Sequence, residues 1–171
     1  MLSQKIQDAF NEQLNAELFS SYLYVSMSAY FESITLKGMA NWMRTQAQEE
    51  VLHATKFYDF INERGGRVLL APIEGPKTEW RSPLEVFEET CRHEAKVTGL
   101  INDLVDLAIK EKDHAANAFL QWFVTEQVEE EAIPREIADK LKLAGDNTSV
   151  LFMIDQELGQ RALTPTSTEQ A

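Results

Sequence analysis

Apolar side chains recur at intervals of three, four and seven residues along much of this chain, the spacing that places them on one face of an α-helix. Residues 4–34 contain neither glycine nor proline, so this stretch is predicted to form a single long helix. A helix with one apolar face buries that face against other elements. The inward positions of the first helix are expected to include Phe10, Leu14, Leu18, Val25 and Phe31.

A second helix is predicted to follow almost at once. Thr35 is placed to act as its N-cap, and Gly65 is placed to end it just after Arg64. Residues 65–81 then contain three glycines and two prolines, a composition typical of an irregular connection. The second helix is therefore expected to lead into a long loop.

Two further long helices are predicted after this loop. The third begins at Ser-Pro-Leu-Glu, with Ser82 as its N-cap, and extends to about Lys110. Asp113 is placed to cap a fourth helix that reaches about Leu143, with Gly145 directly after it. The third and fourth helices are thus separated by only a few residues.

Two features near the carboxyl end stand out from the regular pattern. Pro134 lies inside the fourth helix, where we expect a kink or a weakened turn. A short fifth helix, about residues 149–158, is apolar on more than one face. A surface helix of one subunit does not have this pattern, so we expect the fifth helix to contact other subunits.

These lengths and connections predict the architecture. Each long helix of about 27–30 residues would measure about 40–45 Å. Helices joined by very short turns form antiparallel pairs, whereas a connection of about 17 residues can extend about 55 Å and return along the whole bundle. The third helix can then run parallel to the second. We therefore predict an all-α four-helix bundle with one long crossover between helices two and three, plus a short fifth C-terminal helix.

Composition narrows the functional classes. The formal net charge of −12 over 171 residues disfavours a nucleic-acid partner and favours cations. No apolar run is long enough for a membrane span, and the first residues do not have the pattern of a secretory signal. Cys91 is the single cysteine, so an internal disulfide is excluded. A reducing, cytoplasmic location is expected.

Each long helix carries one carboxylate within its apolar stripe, near the middle of the helix. These residues are Glu17, Glu50, Glu94 and Glu130, and His53 lies one turn from the second of them. In the predicted topology the four helix centres meet at one level. Buried carboxylates repel one another, and no lysine or arginine falls in the stripes beside them. Two divalent cations would balance four carboxylates, and this ligand set suits iron.

Each of these features has a simpler explanation when taken alone. A Glu-x-x-His pair is common by chance, residues 129–131 could be a solvated acidic face, and the aromatics Tyr24, Trp122 and Phe123 could serve packing alone. Two other functions stay open, a metal-free acidic scaffold and a di-metal oxidase of an organic substrate. The combination of one carboxylate per helix at matching height favours the metal site.

Three side chains near these stripes are expected to take no part in chemistry. We expect His93 and His114 on the surface and Cys91 as a small core side chain.

Four segments resemble the corresponding parts of bacterial non-haem ferritins: NEQLNAELFSSYLY, AQEEVLHATKFYDFI, FEETCRHEAKVTGLIN and FLQWFVTEQVEEE. The resemblance covers essentially residues 1–160, which would form a single ferritin-like domain before a polar tail, 161–171, that we expect to be disordered. It implies a homo-oligomeric cage of 24 subunits that oxidises Fe(II) and stores ferric mineral. The working oxidant, O2 or H2O2, is left open.

The resemblance also implies roles for particular residues. Glu17 and His53 look like ligands of a first iron, Glu94 and Glu130 look like ligands of a second, and Glu50 would bridge the two.

Further residues match positions around the dinuclear site of this family. Gln127 would be a neutral hydrogen-bonding group beside the irons. Tyr24 and Trp122 match aromatics that can supply electrons. A third iron site near the cavity is implied at Glu49, Glu126 and Glu129.

The haem-containing branch of the family is disfavoured. Its haem is held by a methionine, where this chain has Leu52. A second Glu-x-x-His is also missing, because residues 127–130 read Gln-Val-Glu-Glu. No haem is therefore expected.

Overall fold

The structure, a computed structural model, describes residues 2–163 of the chain. The described part is all-α, and no strand occurs within it, so the predicted fold class is confirmed. The predicted tail lies outside the described residues from position 164 onward. The five helices are α1 (Gln4–Ser33), α2 (Lys37–Glu63), α3 (Pro83–Lys110), α4 (His114–Ala144) and α5 (Thr148–Leu158).

Hydrogen bonds along α1 establish that α1 and α2 are antiparallel. Ser21 Oγ donates to the carbonyl of Ala47 at 2.8 Å, and Ser28 Oγ donates to the carbonyl of Ala40 at 2.8 Å. As the residue number rises on α1 it falls on α2, the order expected of a hairpin.

The partners of α1 on α3 also fall in number as α1 advances. Tyr24 contacts Glu94, and Phe31 packs against Phe87 with ring centroids 5.9 Å apart. Because α2 and α3 both run opposite to α1, they are parallel to each other. The long crossover is therefore confirmed.

The crossover lies along α1 and is held there by polar contacts. Asn11 Nδ2 donates to the carbonyl of Arg67 at 3.0 Å, and Asn11 Oδ1 accepts from the backbone N–H of Leu69 at 2.7 Å. Farther along, Ser26 Oγ donates to the carbonyl of Lys77 at 2.7 Å. These contacts hold the loop close to α1 over much of its length.

Most helix ends follow the sequence signals. Ser82 Oγ accepts from the backbone N–H of Glu85 at 3.1 Å, and Asp113 Oδ1 accepts from that of Ala116 at 3.0 Å. Gly65 has φ of 71° and ends α2 with a left-handed residue, as expected of a glycine in this position.

The predicted cap of α2 is wrong. Thr35 has φ of 65°, and its hydroxyl donates to the carbonyl of Ile34 instead of accepting from the helix. Leu36 precedes α2 and provides no side-chain cap. The acceptor comes instead from α5, where buried Asp155 Oδ1 accepts from the backbone N–H of Met39 at 2.8 Å. The α2 N-terminus is thus capped by a residue 116 positions away.

The close approach of α2 and α5 depends on a glycine. A methyl group added at Gly38 would overlap the carbonyl oxygen of Asp155. The backbones of the two helices are therefore in direct contact at this point.

Two further expectations are modified. Val25, predicted to face inward, is 49% exposed. Pro134 does not end α4, which continues to Ala144 with the proline ring buried inside the bundle. Because proline has no N–H, the carbonyl of Glu130 loses its regular helical donor. Pro134 therefore removes one hydrogen bond from a helix that continues past it, which agrees with the predicted weakened turn.

Two apolar cores fill the bundle, one toward each end. One contains Met27 and Phe31 of α1 with Met39 and Met43 of α2, together with residues of α3, α4 and α5. The other contains residues 6–14 of α1 with 54–61 of α2, 97–108 of α3 and 116–123 of α4. The carboxylate-bearing positions of all four helices lie between these cores.

No helix in the described part of the chain is both long enough and apolar enough to cross a membrane.

The cap supplied by α5 makes a stability prediction. Asp155→Ala removes the acceptor for the first turn of α2 and is expected to lower the free energy of unfolding by about 1–2 kcal/mol. Urea unfolding of the metal-free protein, at fixed protein concentration, measures this change. Asp139→Ala, an exposed aspartate of α4, is the control and should have little effect. Equal effects of the two substitutions would show that the α2 cap contributes no measurable stability.

Candidate metal centre

The four glutamates predicted from the helix stripes lie together in the centre of the bundle. Each comes from a different helix, and their exposed fractions range from 1% for Glu17 and Glu94 to 7% for Glu130. His53 is also buried, on the same face of α2 as Glu50 and one turn after it. The polar layer between the two apolar cores therefore contains four carboxyl groups and one imidazole.

Their geometry defines two adjacent positions for a metal ion. Ligand atoms of Glu17, Glu50 and His53 all lie within 4.8 Å of one another. Ligand atoms of Glu50, Glu94 and Glu130 meet the same limit. Because Glu50 belongs to both groups, its carboxylate is placed to bridge two ions.

A third group extends from the buried layer toward the surface. It comprises His53, Glu126 and Glu130, again with ligand atoms within 4.8 Å of one another. The set expected for a third site was different. Within the described residues, Glu49, Glu126 and Glu129 are not among the groups that bring three ligand atoms within this distance. Glu129 is exposed, and Glu49 pairs with Arg161.

Two donors surround Glu94. Gln127 Nε2 lies 3.3 Å from Glu94 Oε2 and 3.2 Å from Thr98 Oγ1. The buried Tyr24 hydroxyl donates to Glu94 Oε1. Gln127 and Tyr24 thus both contact a carboxylate of the centre, with Tyr24 reaching it from α1 and Gln127 from α4.

Two buried glutamines were missed by sequence reasoning. Gln13 Nε2 donates to Glu17 Oε1 at 2.9 Å. Gln46 Nε2 donates to Glu50 Oε1 at 3.1 Å and to Glu130 Oε2 at 2.5 Å. Each glutamine precedes a glutamate of the centre by four residues, which places both on one helix face. This spacing is the signal that could have identified them.

Burial dominates the electrostatics of the centre. Burial, with a further contribution from the neighbouring Glu50, raises the pKa of Glu17 to about 8. Burial also raises the pKa of Glu130 to about 8, with a contribution from Glu94. The pKa values of Glu50 and Glu94 are likewise raised by burial. Among the described residues no lysine or arginine pairs with these four glutamates. Bound protons therefore neutralise the carboxyl groups, and bound cations could do the same.

Aromatic side chains border the imidazole. The ring centroid of His53 lies 5.4 Å from that of Trp122 and 5.9 Å from that of Phe123. The ammonium group of Lys56 lies 4.2 Å from the ring centroid of Trp122, and Trp122 is 36% exposed. Trp122 therefore connects the imidazole region with the protein surface.

The expectation that His93 lies on the surface is wrong. Its Nε2 lies 2.8 Å from Ser20 Oγ, and its ring is edge-on to Tyr24 with centroids 5.8 Å apart. Burial lowers the pKa of His93 to about 4, and nearby Lys96 also lowers it. His114 is exposed as expected, and Cys91 is half-buried at the edge of one apolar core.

Comparison with known families agrees with this arrangement. A family model described as a ferritin-like domain matches residues 7–144, which include all five central residues. The chain belongs to the ferritin family. The bacterial non-heme ferritin of Bacteroides fragilis is 50% identical over 161 residues, covering 94% of this chain and 100% of the relative. That of Staphylococcus saprophyticus is 42% identical over 162 residues, covering 95% and 97%.

Solved structures agree as well. The open-pore ferritin of the hyperthermophilic archaeon Archaeoglobus fulgidus matches this ferritin with a TM-score of 0.94 and 52% identity, covering 95% of this chain and 100% of that one. A humanized archaeal ferritin matches with a TM-score of 0.96 and 52% identity. The ferritin-like bundle with its short fifth helix is thus confirmed.

The raised pKa values predict how stability depends on pH. A glutamate with a folded pKa of about 8, above the 4.5 of an unperturbed glutamate, stabilises the fold while protonated and loses this contribution as pH rises toward 8. The metal-free protein should therefore lose thermal stability between pH 6.5 and 8. His93 adds only a small opposing change in this window, because most of the stability gained from its lowered pKa of about 4 is gained below the 6.5 of an unperturbed histidine.

Thermal denaturation of metal-free protein across this window is the measurement, and Glu17→Gln is the comparison. The variant keeps a neutral side chain at every pH, so its denaturation midpoint should fall less than that of the parent. A parent midpoint that is constant or rises with pH would contradict the burial of protonated carboxyl groups.

The shared amide of Gln46 makes a second prediction for the centre. Gln46→Leu leaves two buried carboxyl groups without this donor and is expected to cost about 1–3 kcal/mol of unfolding free energy. Urea unfolding of metal-free protein tests it, with the exposed Gln121→Leu of α4 as the control. A loss no larger than that of the control would mean that Gln46 does not stabilise the carboxyl pair.

Proposed function

We propose that this ferritin is an iron storage protein with ferroxidase activity. It oxidises Fe(II) at a dinuclear site within each subunit and deposits ferric oxyhydroxide inside a hollow oligomeric cage. The observation that carries the proposal is the pair of buried ligand groups that share Glu50. The family of the chain supports the same function.

Two Fe(II) ions are the substrates of this site. The first binds Glu17 and His53, the second binds Glu94 and Glu130, and Glu50 bridges them. The four carboxylates balance the four positive charges of the two ions, and metal binding releases the protons held in the empty centre. Oxygen ligands in majority also favour Fe(III), which is the harder ion.

The redox step needs two electrons, one from each Fe(II). Their acceptor is O2, which takes up two protons and becomes H2O2, or H2O2, which is reduced to water. The bridged geometry keeps the two ions close enough to act on one oxidant molecule. Gln127 stays a neutral hydrogen-bonding group beside Glu94. Tyr24 and Trp122 are nearby aromatics that would each supply one further electron, and these two electrons with two protons would reduce the H2O2 formed from O2 to water.

The oxidised iron then moves outward. The group of His53, Glu126 and Glu130 shares two residues with the dinuclear site and reaches toward the surface. We propose a third iron position at this group, with Glu49 and Glu129, which directly precede Glu50 and Glu130, as the further acidic residues that the resemblance implies. It would receive iron on the way to the mineral.

The proposal includes a homo-oligomer of 24 subunits. The short α5 exposes Phe152 and Met153, and Leu143 near the end of α4 is also exposed. Apolar side chains of this size, close together on one end of the bundle, support subunit contacts there. The proposal also places the protein in the cytoplasm, without haem and without a nucleic-acid or membrane partner.

An oxidase of an organic substrate is the second function to weigh. It would need a cavity that opens onto the ions. The surface cavity of about 230 Å³ beside Trp122 and Phe123 is lined by none of the five central residues. This cavity therefore gives no support to an organic substrate at the ions.

Iron oxidation and retention test the proposal. Metal-free protein receives excess Fe(II) in air, Fe(III) formation is followed by absorbance, and iron is assayed in the protein peak after size exclusion. The parent should oxidise and retain iron. Glu50→Ala/His53→Ala, which removes the bridge and the imidazole, should slow oxidation by about 10- to 100-fold or more.

The chain offers a matched control for this double variant. Glu111 and His114 have the same spacing as Glu50 and His53 but lie at the α3–α4 turn, outside the centre. Glu111→Ala/His114→Ala should oxidise iron at the parental rate. Equal oxidation by the parent and Glu50→Ala/His53→Ala would exclude the dinuclear site as the catalyst, and a parent that retains no iron would exclude storage.

A further inference from the structure

Arg161 follows α5 and returns to the surface of α2, where several contacts hold it. The centre of its guanidinium lies 4.3 Å from the ring centroid of Trp42, and Nη1 lies 3.5 Å from the Trp42 carbonyl oxygen. The carbonyl of Arg161 accepts from Asn41 Nδ2 at 2.9 Å. The backbone and the side chain of Arg161 thus both contact the first half of α2.

The remaining contact of Arg161 is an ion pair. Its Nη2 donates to Oε2 of Glu49, and both side chains are mostly buried, with 20% and 16% of their surface exposed. An ion pair shielded from solvent in this way is stronger than one between fully exposed side chains. Arg161 is therefore a fixed positive charge on one carboxylate.

Glu49 lies beside the outer ligand group. It directly precedes Glu50, and the charges of His53 and Glu126 both act on it. It was expected as a ligand of the third iron position, yet its carboxylate already has a cationic partner. Arg161 thus stands where a metal ion would compete for the same oxygen.

We propose that Arg161 is an internal competitor for iron at the third position, and that its ion pair with Glu49 weakens metal binding there. This inference rests on the proposed function. A carboxylate shared with a guanidinium attracts a divalent cation less strongly, and the guanidinium also repels the cation directly. Iron leaving the dinuclear site would therefore bind only weakly at the third position and pass on to the mineral.

The contacts around Arg161 fit this role better than simple attachment of the segment that follows α5. Asn41 holds the backbone, and stacking on Trp42 holds the side chain without any carboxylate. Trp42 sets the position of the guanidinium, and Glu49 receives its charge. A residue that only anchored the segment would not need to neutralise a side chain next to the metal centre.

The test is a calorimetric titration of the full-length, assembled, metal-free protein with Zn(II), which binds without redox chemistry. Arg161→Met keeps an apolar side chain on Trp42 but removes the charge. It should tighten the weakest class of Zn(II) sites by about tenfold and leave the two tighter sites unchanged. Arg161→Lys keeps the charge, so its weakest class of sites should bind Zn(II) almost as weakly as that of the parent.

Two controls make the result specific. Arg81→Met removes the same charge from an exposed residue at the end of the crossover and should leave Zn(II) binding unchanged. In a Glu49→Gln background, Arg161→Met should tighten the weak class much less, because the carboxylate under competition is gone and only the direct repulsion is removed. An equal tightening in that background would overturn the inference.

Further outcomes separate this inference from the proposed function. The competitor role would be overturned if Arg161→Met bound Zn(II) with the affinities of the parent. It would also be overturned if neither the parent nor the variant showed a third, weaker class of Zn(II) sites. The Fe(II) oxidation assay on the same preparations decides the proposed function independently. A parent that oxidises iron while Arg161→Met leaves Zn(II) binding unchanged would refute only the role of Arg161.

Discussion

The burial of four carboxyl groups and one imidazole at a single level of a helical bundle is the constraint on which the rest of this structure depends. Carboxylates taken out of water need protons, hydrogen-bond donors or cations. Separate apolar cores on either side of the layer hold the four helices, so the helices themselves do not rely on the polar layer for packing. The bundle can therefore tolerate a centre that is strained electrostatically when it holds no metal.

Neutral donors allow this centre to exist without metal. Gln13, Gln46, Gln127 and Tyr24 each donate to one or more of the buried carboxyl groups, and none of them adds charge. Even so, Glu17 Oε2 and Gln46 Oε1 are buried without a hydrogen-bond partner among the described residues. The hydrogen bonds that are made hold the carboxyl groups in place, and the oxygen atoms without a partner are available to bind cations. Proton exchange for metal then links the occupancy of the centre to pH.

Residues in α5 and just after it contact α2 at two points. Asp155 caps its first turn, and Arg161 pairs with Glu49 near its centre. The segment from α5 to Arg161 therefore contacts both the first turn and the centre of α2. It completes the N-terminus of the helix that carries Glu50 and His53, and it sets the charge beside them.

The sequence by itself determined the helices, the crossover and the five central residues, because helical periodicity and turn residues act locally and a carboxylate in an apolar stripe is visible without a partner. It was wrong about Thr35, because the distant Asp155 supplies the cap of α2. It was also wrong about His93, since the facing of a residue at the edge of a stripe depends on where neighbouring helices lie. Only the tertiary structure decided which donors serve which carboxylates. Gln46 reaches Glu130 across 84 positions, and Arg161 reaches Glu49 across 112. Contacts of this kind follow from the packing of whole helices, which no local pattern encodes.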